Sequence, residues 1–239
     1  MSPALQRDEL SLPARETLAY TGAEDPLEYY YRRHTAWMYR ARLRLALETL
    51  GNGPFESLIE VGYGSGILLP ELTQRARRVC GVDVHPYTQE VERSMERLGV
   101  TALLRQASLF EMPFAEDEFD VLVCLSVLEH IKELDVALEE VARVLRPSGV
   151  AVIGFPVRNV VTDGLFRALG YQPREMHPSS HDDIIQAAVR STKLDLERIV
   201  QIPRKLPRSV SAYVVLRLLR TSGTLSRQPQ TVSGHPDHS

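Results

Sequence analysis

Three glycines at alternate positions are the most chemically informative feature of the sequence. Gly62, Gly64 and Gly66 follow an apolar run that ends at Val61. Glycine is needed where the backbone adopts a positive φ, or where a ligand approaches closer than a Cβ atom would allow. A helix that begins near Ser65 would direct free N–H groups and the positive end of its dipole toward this loop. The pattern therefore predicts a backbone cradle for a polar or anionic, nucleotide-like ligand.

The spacing of the loop and of two acidic residues discriminates between ligands. A dinucleotide-binding loop reads G-x-G-x-x-G, but here Ile67 occupies the place of the last glycine, which comes one residue early. Glu60 lies just before the loop. Asp83 lies about 20 residues beyond it, at the end of a second strand pattern, where a carboxylate can reach ribose hydroxyls. The glycine spacing, together with Glu60 and Asp83, therefore argues against NAD as the ligand of this loop.

At this point the chain resembles the class I S-adenosylmethionine-dependent methyltransferases, whose first motif is an acidic residue, one apolar residue and then G-x-G-x-G. Further motifs resemble the branch that includes quinone-biosynthesis and many natural-product methyltransferases. In chain order they are Glu-Met-Pro-Phe at 111–114, Phe-Asp-Val-Leu-Val-Cys at 119–124, Leu-Glu-His-Ile at 128–131 and Arg-Val-Leu-Arg-Pro-Ser-Gly at 143–149. The resemblance covers residues 57–155, extends to residue 220 by topology, and implies S-adenosylmethionine as the cofactor.

The resemblance also implies where each part of the cofactor would lie. Glu60 would order the loop or meet the methionine ammonium, and Asp83 would hold the ribose hydroxyls. Ser108 stands where relatives carry an acidic residue for the adenine amine, and a hydroxyl is the weaker acceptor. Tyr63 would either lean over the methionine arm or cap the loop. The predicted cofactor-binding residues are Glu60, Gly62, Tyr63, Gly64, Gly66, Asp83, Val84, Ser108, Leu109 and Leu125.

Histidines are the candidate catalytic residues. A sulfonium methyl group is already activated, so a base is needed only when the acceptor is a hydroxyl, an acidic carbon or a protonated amine. His130 follows the fourth strand pattern, and His177 and His181 lie in a polar cluster after the fifth. The alternatives are a structural hydrogen-bonding role for Glu129 and His130, and capping of the next helix by Ser180 or Asp182, with His177 and His181 exposed. Because proline and cap signals interrupt the His-x-x-x-His spacing, we expect no metal site.

An aromatic and arginine-rich run at residues 29–40 is the candidate substrate-binding segment. Read as one helix, the run places Tyr30, His34 and Trp37 along one side. As a lid, these side chains would contact an aromatic or acyl acceptor. The alternative is that they pack a terminal helix on the core.

Strand patterns alternate with helical patterns along most of the chain, which implies parallel pairing with right-handed crossovers. The strand patterns lie at residues 57–62, 78–83, 101–105, 121–125 and 150–155, and helical patterns lie at residues 27–50, 65–76, 87–98, 134–145 and 181–191. The last strand patterns, at 195–202 and 211–220, are separated by too short a linker for a crossover and should pair antiparallel. We expect an α/β, Rossmann-like fold with a seven-stranded, mostly parallel sheet, a C-terminal antiparallel hairpin and helices on both faces.

Composition sets the remaining expectations. The chain has 239 residues, 44% of them hydrophobic and 25% charged, which suffices for one sizeable core. A net charge of -3 gives no basic face for nucleic acid. No apolar run reaches the length of a membrane span, so we expect no integral membrane segment and a cytoplasmic protein. Cys80 and Cys124 fall in buried strand patterns and are expected to be reduced core thiols.

The expected organisation has three parts. Residues 1–50 would form an N-terminal helical cap or lid, residues 51–220 the methyltransferase domain with a substrate-side insertion at 156–180, and residues 221–239 a disordered tail. The predicted function is transfer of a methyl group to an oxygen, nitrogen or carbon atom of a small-molecule acceptor. The alternative is a catalytically silent, S-adenosylmethionine-binding interaction subunit. Neither the acceptor nor the oligomeric state follows from the sequence.

Overall fold

A seven-stranded sheet forms the centre of the structure. The computed structural model describes residues 10–22, 25–157, 178–205 and 210–222. Its strands are β1 (Phe55–Val61), β2 (Ala76–Asp83), β3 (Leu103–Gln106), β4 (Phe119–Leu125), β5 (Leu145–Pro156), β6 (Leu194–Ile202) and β7 (Tyr213–Arg220). They lie in the order β3-β2-β1-β4-β5-β7-β6, and only β7 runs antiparallel to its neighbours β5 and β6. The predicted fold class is confirmed.

The central position of β1 explains where a ligand can bind. Its apolar residues are buried on both faces, as a strand covered from both sides requires, with Leu58 and Ile59 fully inaccessible to solvent. β1 pairs with β2 on one side and with β4 on the other, so the winding of the chain reverses at this strand. Such a switch point opens a crevice at the carboxyl ends of the strands.

Both predicted core thiols are confirmed. Cys80 on β2 and Cys124 on β4 are free and have no solvent exposure. Burial raises the pKa of both thiols, because an apolar environment disfavours the thiolate. The two cysteines therefore pack as small hydrophobic side chains inside the sheet.

Helices cover both faces of the sheet, as predicted. They are α1 (Ala36–Leu50), α2 (Leu69–Leu72), α3 (Thr88–Arg97), α4 (Leu134–Val144) and α5 (His181–Arg190). The apolar residues of α4 and α5 belong to one core cluster and those of α1 and α3 to the other. Among the residues described, no helix has the length and apolarity to cross a membrane.

The start of α5 confirms a predicted cap. The Ser180 side chain accepts a hydrogen bond from the backbone N–H of Asp183, and the Asp183 side chain accepts one from the backbone N–H of Ser180. This reciprocal capping box satisfies donors that the first turn of a helix leaves unpaired. The polar cluster around Ser180 therefore has a structural role at the helix start.

The helix predicted directly after the glycine loop is wrong in extent. Only Leu69–Leu72 is helical, because tight turns occupy the preceding residues: Gly66 N–H donates to the Tyr63 carbonyl oxygen and Leu69 N–H to that of Gly66. β2 then begins already at Ala76. A single helical turn has little dipole to offer. The cradle is therefore the loop backbone itself and not the start of a long helix.

The single helix predicted over residues 27–50 is also wrong, because it is broken. A 3-10 helix at Leu27–Tyr30 is followed by turns, and α1 begins only at Ala36. At the break, the Thr35 hydroxyl donates to the Tyr29 carbonyl oxygen at 2.8 Å. Side chains before and after the break therefore do not share one helical face.

Candidate active site

A cavity of about 860 Å³ lies over the carboxyl ends of β1, β4 and β5. We call one part of it the loop half, formed by residues 60–66, 83–85 and 107–109. We call the other part the tyrosine half, formed by Tyr30, Tyr39, Arg42, Glu129 and Tyr213. The loop half lies toward β2 and β3, and the tyrosine half lies toward β5 and β7. The N-terminal segment around Asp25 closes the cavity above the glycine loop.

The glycine loop needs its first glycine for both conformation and space. Gly62 has φ of 76°, which side-chain-bearing residues rarely adopt, and a Cβ atom there would lie 2.3 Å from Val127 Cγ2. Its N–H donates to the Val82 carbonyl oxygen at 2.8 Å, which ties the loop to β2. The loop therefore exposes bare backbone to the cavity at this position.

Gly66 has a different role from the predicted one. It also has a positive φ, of 77°, but it does not line the cavity. A Cβ atom there would lie 3.0 to 3.1 Å from Val91, Leu69 and Met95. Gly66 thus allows the loop to pack closely against α3, and its contribution to a ligand site is indirect.

Asp83 holds the loop to the end of β2. Its Oδ2 accepts a hydrogen bond from Gly64 N–H at 2.8 Å, and its Oδ1 accepts one from His85 N–H at 3.2 Å. The Nε2 atom of His85 lies 3.0 Å from the Gly64 carbonyl oxygen, which closes the arrangement. Each carboxylate oxygen keeps acceptor capacity for a ligand hydroxyl. Sequence reasoning missed His85, whose only signal is its place two residues after Asp83.

Glu60 is a buried carboxyl group that lacks a partner. Its side chain lines the cavity, the residue is 5% exposed, and Oε2 has no hydrogen-bond partner among the described residues. Burial raises the pKa of Glu60 well above its usual range, and the nearby charge of Asp83 raises it further. A buried acceptor without a donor is energetically unfavourable. A cationic ligand group bearing N–H donors would satisfy it.

Tyr63 caps the loop. Its hydroxyl lies 2.9 Å from Thr88 Oγ1, and its ring meets the His85 ring edge to face at 5.0 Å between centroids. A Cβ atom on Gly81 would lie 2.8 Å from the Tyr63 ring. Burial raises the pKa of Tyr63 to about 12. Of the two predicted roles, these contacts support the cap.

The remaining predicted cofactor residues lie along the cavity wall. Ser108 Oγ accepts a hydrogen bond from Phe110 N–H at 3.2 Å, and Leu109 beside it is buried. Val84 is 69% exposed and lies past the end of β2, whereas Leu125 ends β4. All four residues line the cavity. Their positions run from β3 to β4, across the switch point.

The tyrosine half is organised around Arg42 on α1. Its Nε and Nη2 atoms donate to the Tyr30 hydroxyl oxygen, at 3.2 and 2.6 Å. The guanidinium carbon lies 4.2 Å from the centroid of the Tyr39 ring and 5.7 Å from that of Tyr213, within cation–π range. Tyr213 in turn lies 3.2 Å from Ser126 through its hydroxyl. Of these residues, only Tyr30 was predicted.

Glu129 and His130 border the same half after β4. Glu129 is 3% exposed, and its Oε2 has no hydrogen-bond partner among the described residues. Burial raises the pKa of Glu129 to about 8, although its own backbone N–H and the charge of Arg42 oppose the rise. His130 is exposed and lines the cavity, and its catalytic role stays a prediction. A buried carboxyl group and an imidazole thus adjoin this half of the cavity.

Besides Gly66, three residues predicted to bind the substrate or to act in catalysis do not line the cavity. His34 and Trp37 are exposed and lie beyond the break before α1, where Trp37 Nε1 donates to the His34 carbonyl oxygen at 3.2 Å. His181 is the first residue of α5, and its Nε2 lies 3.6 Å from Asp182. The break and the helix start turn these side chains away from the cavity. His177 and most of the predicted insertion lie outside the described residues.

Comparison with known proteins identifies a family that matches the central part of the chain. The family described as "Methyltransferase domain" matches residues 59–153. A ubiquinone biosynthesis O-methyltransferase of Alkalilimnicola ehrlichii is 28% identical over 159 residues, which are 64% of this chain and 63% of that protein. The chain spans 58% to 63% of the length of the curated relatives compared.

Solved structures share the fold. A geranyl diphosphate methyltransferase solved with S-adenosylmethionine superposes with a TM-score of 0.63 at 18% identity, over 83% of this chain and 93% of that one. The N-methyltransferase NodS from Bradyrhizobium japonicum WM9 superposes with a TM-score of 0.58 at 20% identity, over 77% of this chain and 96% of that one. These identities support a common fold and no common acceptor.

Proposed function

From the premise that the chain belongs to the class I S-adenosylmethionine-dependent methyltransferases, we propose that it transfers a methyl group from S-adenosylmethionine to a small-molecule acceptor. The observation that carries the proposal is the unpaired carboxyl oxygen of Glu60, buried at the carboxyl end of β1 beside a loop of bare backbone. The ammonium group of the cofactor's methionine part has the charge and the N–H donors that this oxygen lacks.

The other residues of the loop half fit the same cofactor. Gly62 and Gly64 would allow its close approach to the backbone, and Asp83 has acceptor capacity for ribose hydroxyls. Ser108 and Leu109 would adjoin the adenine, while Leu125 at the end of β4 would border the methyl group. The cavity joins all these positions to the tyrosine half.

When bound, S-adenosylmethionine supplies a methyl group that needs no further activation. The residues of this chain would therefore align the acceptor and exclude water, which can account for much of a rate enhancement. Tyr30, Tyr39 and Tyr213 would cover the acceptor. Where the acceptor loses a proton, His130 would accept it, or Glu129 in its carboxylate form, which the pKa of about 8 makes the minor form at pH 7.

The acceptor is proposed to be a small molecule with an oxygen, nitrogen or carbon nucleophile. The curated relative from Alkalilimnicola ehrlichii is an O-methyltransferase by name, and the net charge of -3 gives no support for a nucleic-acid acceptor. A silent binding subunit is the less favoured alternative, since the cavity extends beyond the cofactor residues to Glu129 and His130. The cytoplasmic location stays a prediction.

Calorimetry with S-adenosylmethionine, S-adenosylhomocysteine and NAD tests the cofactor. We expect the first two to bind and NAD not to bind, because the loop spacing differs from a dinucleotide fingerprint. Asp83→Ala should weaken binding of S-adenosylmethionine at least about tenfold, since ribose hydroxyls lose a charged acceptor and the loop loses its tie to β2. Tight NAD binding would contradict the proposal, and unchanged affinity in Asp83→Ala would remove this residue from the site.

An isotope-labelled methyl transfer screen tests the reaction. The full chain is incubated with labelled S-adenosylmethionine and small-molecule fractions of a host extract, and labelled products are identified by mass. We expect transfer of label to a discrete compound. Cofactor binding without label transfer to any fraction would support the silent subunit instead.

A further inference from the structure

Methyl transfer by itself does not require the positive charge that the Arg42 guanidinium brings to the cavity. Two of its nitrogens, Nε and Nη2, donate to one atom, the Tyr30 hydroxyl oxygen. Nη1 donates to no residue of the described ranges, and within them no carboxylate forms an ion pair with Arg42. A guanidinium presents a planar set of donors that matches a carboxylate or a phosphate. One edge of this set therefore has no protein acceptor in the described part of the chain.

The groups that face Arg42 leave its charge uncompensated at neutral pH. Burial raises the pKa of Tyr30 and of Tyr213, so both phenols stay neutral. The charge of Arg42 acts on the carboxyl group of Glu129, whose pKa of about 8 keeps it mostly protonated at pH 7. The Tyr39 ring lies against the guanidinium face and contributes no full charge. The tyrosine half is thus a cationic site with aromatic walls.

The position of Arg42 separates it from the residues proposed for the ribose and the adenine. Its ring contacts include Tyr213, which begins β7 and pairs with Pro156 at the carboxyl end of β5. The ribose and adenine residues, Asp83 and Ser108, lie toward the opposite edge of the sheet, after β2 and β3. Arg42 therefore adjoins the acceptor side of the cavity.

We propose that Arg42 binds an oxyanion, a carboxylate or a phosphate group, carried by the methyl acceptor. The proposal rests on the proposed function, because it treats the tyrosine half as the acceptor site. Nη1 and the outer edge of Nη2 would donate to the oxyanion, while Tyr39 and Tyr213 would pack against the carbon skeleton. The acceptor class is then an organic acid or an organic phosphate with an aromatic or extended apolar part.

The test uses probes that differ in charge and little in shape. The full chain is saturated with S-adenosylhomocysteine and titrated with benzoate, phenyl phosphate or neutral benzamide, followed by calorimetry. We expect one of the two anions to bind at least about tenfold more tightly than benzamide, as one charge-assisted pair in a shielded site provides. The benzoate and phenyl phosphate titrations distinguish the two kinds of oxyanion.

Variants of α1 assign the preference to one side chain. Arg42→Gln should reduce the preference for the anion to within about twofold, because it removes the charge. Arg42→Lys keeps a charge without the planar donors and should retain part of the preference. Arg44→Gln is the matched control, since Arg44 is exposed two positions further along the same helix and does not line the cavity. It should leave the preference unchanged.

Several outcomes would overturn the proposal. They are equal binding of anion and benzamide, failure of both anions to bind the S-adenosylhomocysteine complex, and an anion preference that survives in Arg42→Gln. If Arg42→Gln fails to fold, two other results would overturn the proposal. One is loss of the anion preference in Arg44→Gln, and the other is an anion affinity in Arg42→Lys that is no higher than its affinity for benzamide.

The donor's own carboxylate is a competing occupant. If Arg42→Gln weakens binding of S-adenosylhomocysteine but not of 5′-methylthioadenosine, which lacks the amino-acid part, Arg42 binds that carboxylate and the proposal is wrong. If the unaltered chain binds neither nucleoside compound, it is the proposed function that fails.

Discussion

The loop half of the cavity is organised by main-chain atoms, whereas the tyrosine half is organised by side chains. In the loop half, Gly62 and Gly64 donate backbone N–H groups to the end of β2, and a bare backbone faces the cavity. In the tyrosine half, Arg42, Tyr30 and Tyr213 meet through hydroxyl and guanidinium groups and aromatic rings. A site built from main-chain atoms keeps its specificity for one ligand when side chains change. A site built from side chains can gain specificity for a different ligand through single substitutions. The difference suits a constant methyl donor and a variable acceptor.

The largest expected effect follows from adding one methyl group to the loop. Gly62→Ala combines a positive φ with a Cβ contact to Val127, and should lower the free energy of unfolding by about 2–4 kcal/mol and abolish cofactor binding. Urea unfolding and calorimetry with S-adenosylhomocysteine measure both. Gly99→Ala is the control, because Gly99 has φ of 67° but open space around it, and should cost about 1 kcal/mol. Equal effects in the two variants would show that the loop half does not depend on close main-chain approach.

Glu60→Gln probes the buried, unpaired carboxyl group of the loop half. We expect about a tenfold to hundredfold loss of S-adenosylhomocysteine affinity, because the ammonium loses a buried charge partner. The ligand-free protein should become no less stable, because a buried carboxyl with a raised pKa is unfavourable above its unfolded pKa and the amide removes that ionisation. Glu56→Gln, on the exposed start of β1, is the control. A stability loss without an affinity loss would make Glu60 purely structural.

Glu129→Gln should separate the two halves through pH. Burial raises the pKa of Glu129 to about 8 from 4.5, so the unaltered protein loses stability as pH rises between these values. Relative to it, the variant should gain about 1–2 kcal/mol in free energy of unfolding between about pH 5.5 and pH 7.5. Affinity for S-adenosylhomocysteine should stay within about twofold. Urea unfolding at both pH values measures the gain, and a difference that does not change with pH would contradict the assigned pKa.

Trp37→Ala has the smallest expected effect. The side chain is 61% exposed and lies outside the cavity, so both cofactor affinity and the rate of label transfer should stay within about twofold. The same measurements on Tyr39→Leu, within the tyrosine half, should show a loss of label transfer. A large loss of label transfer in Trp37→Ala would indicate that residues 31–37 belong to the acceptor site.

The sequence predicted the loop half well because its residues adjoin strand ends within one continuous stretch. Glu60 and Asp83 are recognisable from strand patterns and spacing alone. His85 was missed because its contact with the Gly64 carbonyl oxygen depends on the fold of the loop. The predicted length of the helix after the loop was too great. The helical spacing of apolar residues continues through a segment that forms turns, because its glycines have positive φ values.

The tyrosine half could not be predicted in the same way. Arg42 and Tyr213 meet only because β7 pairs with β5, and no local pattern records that pairing. Tyr30 was identified by its aromatic neighbours, but the break at Thr35 separates it from His34 and Trp37. Parallel pairing and the C-terminal hairpin were predictable from the alternation of elements, whereas contacts between side chains across the sheet were not.

The placement of β7 has a consequence for folding. β7 lies between β5 and β6, although β6 precedes it in the chain, and it carries Tyr213 into place. Contacts between distant parts of a chain require loop closure and form late, and β7 pairs with β5 across 57 to 69 residues, whereas β1 pairs with β2 across 21 residues. A partly folded chain can therefore have a formed glycine loop while the edge of β5 is still unpaired. Such an intermediate would bind the nucleoside before it has any place for an acceptor.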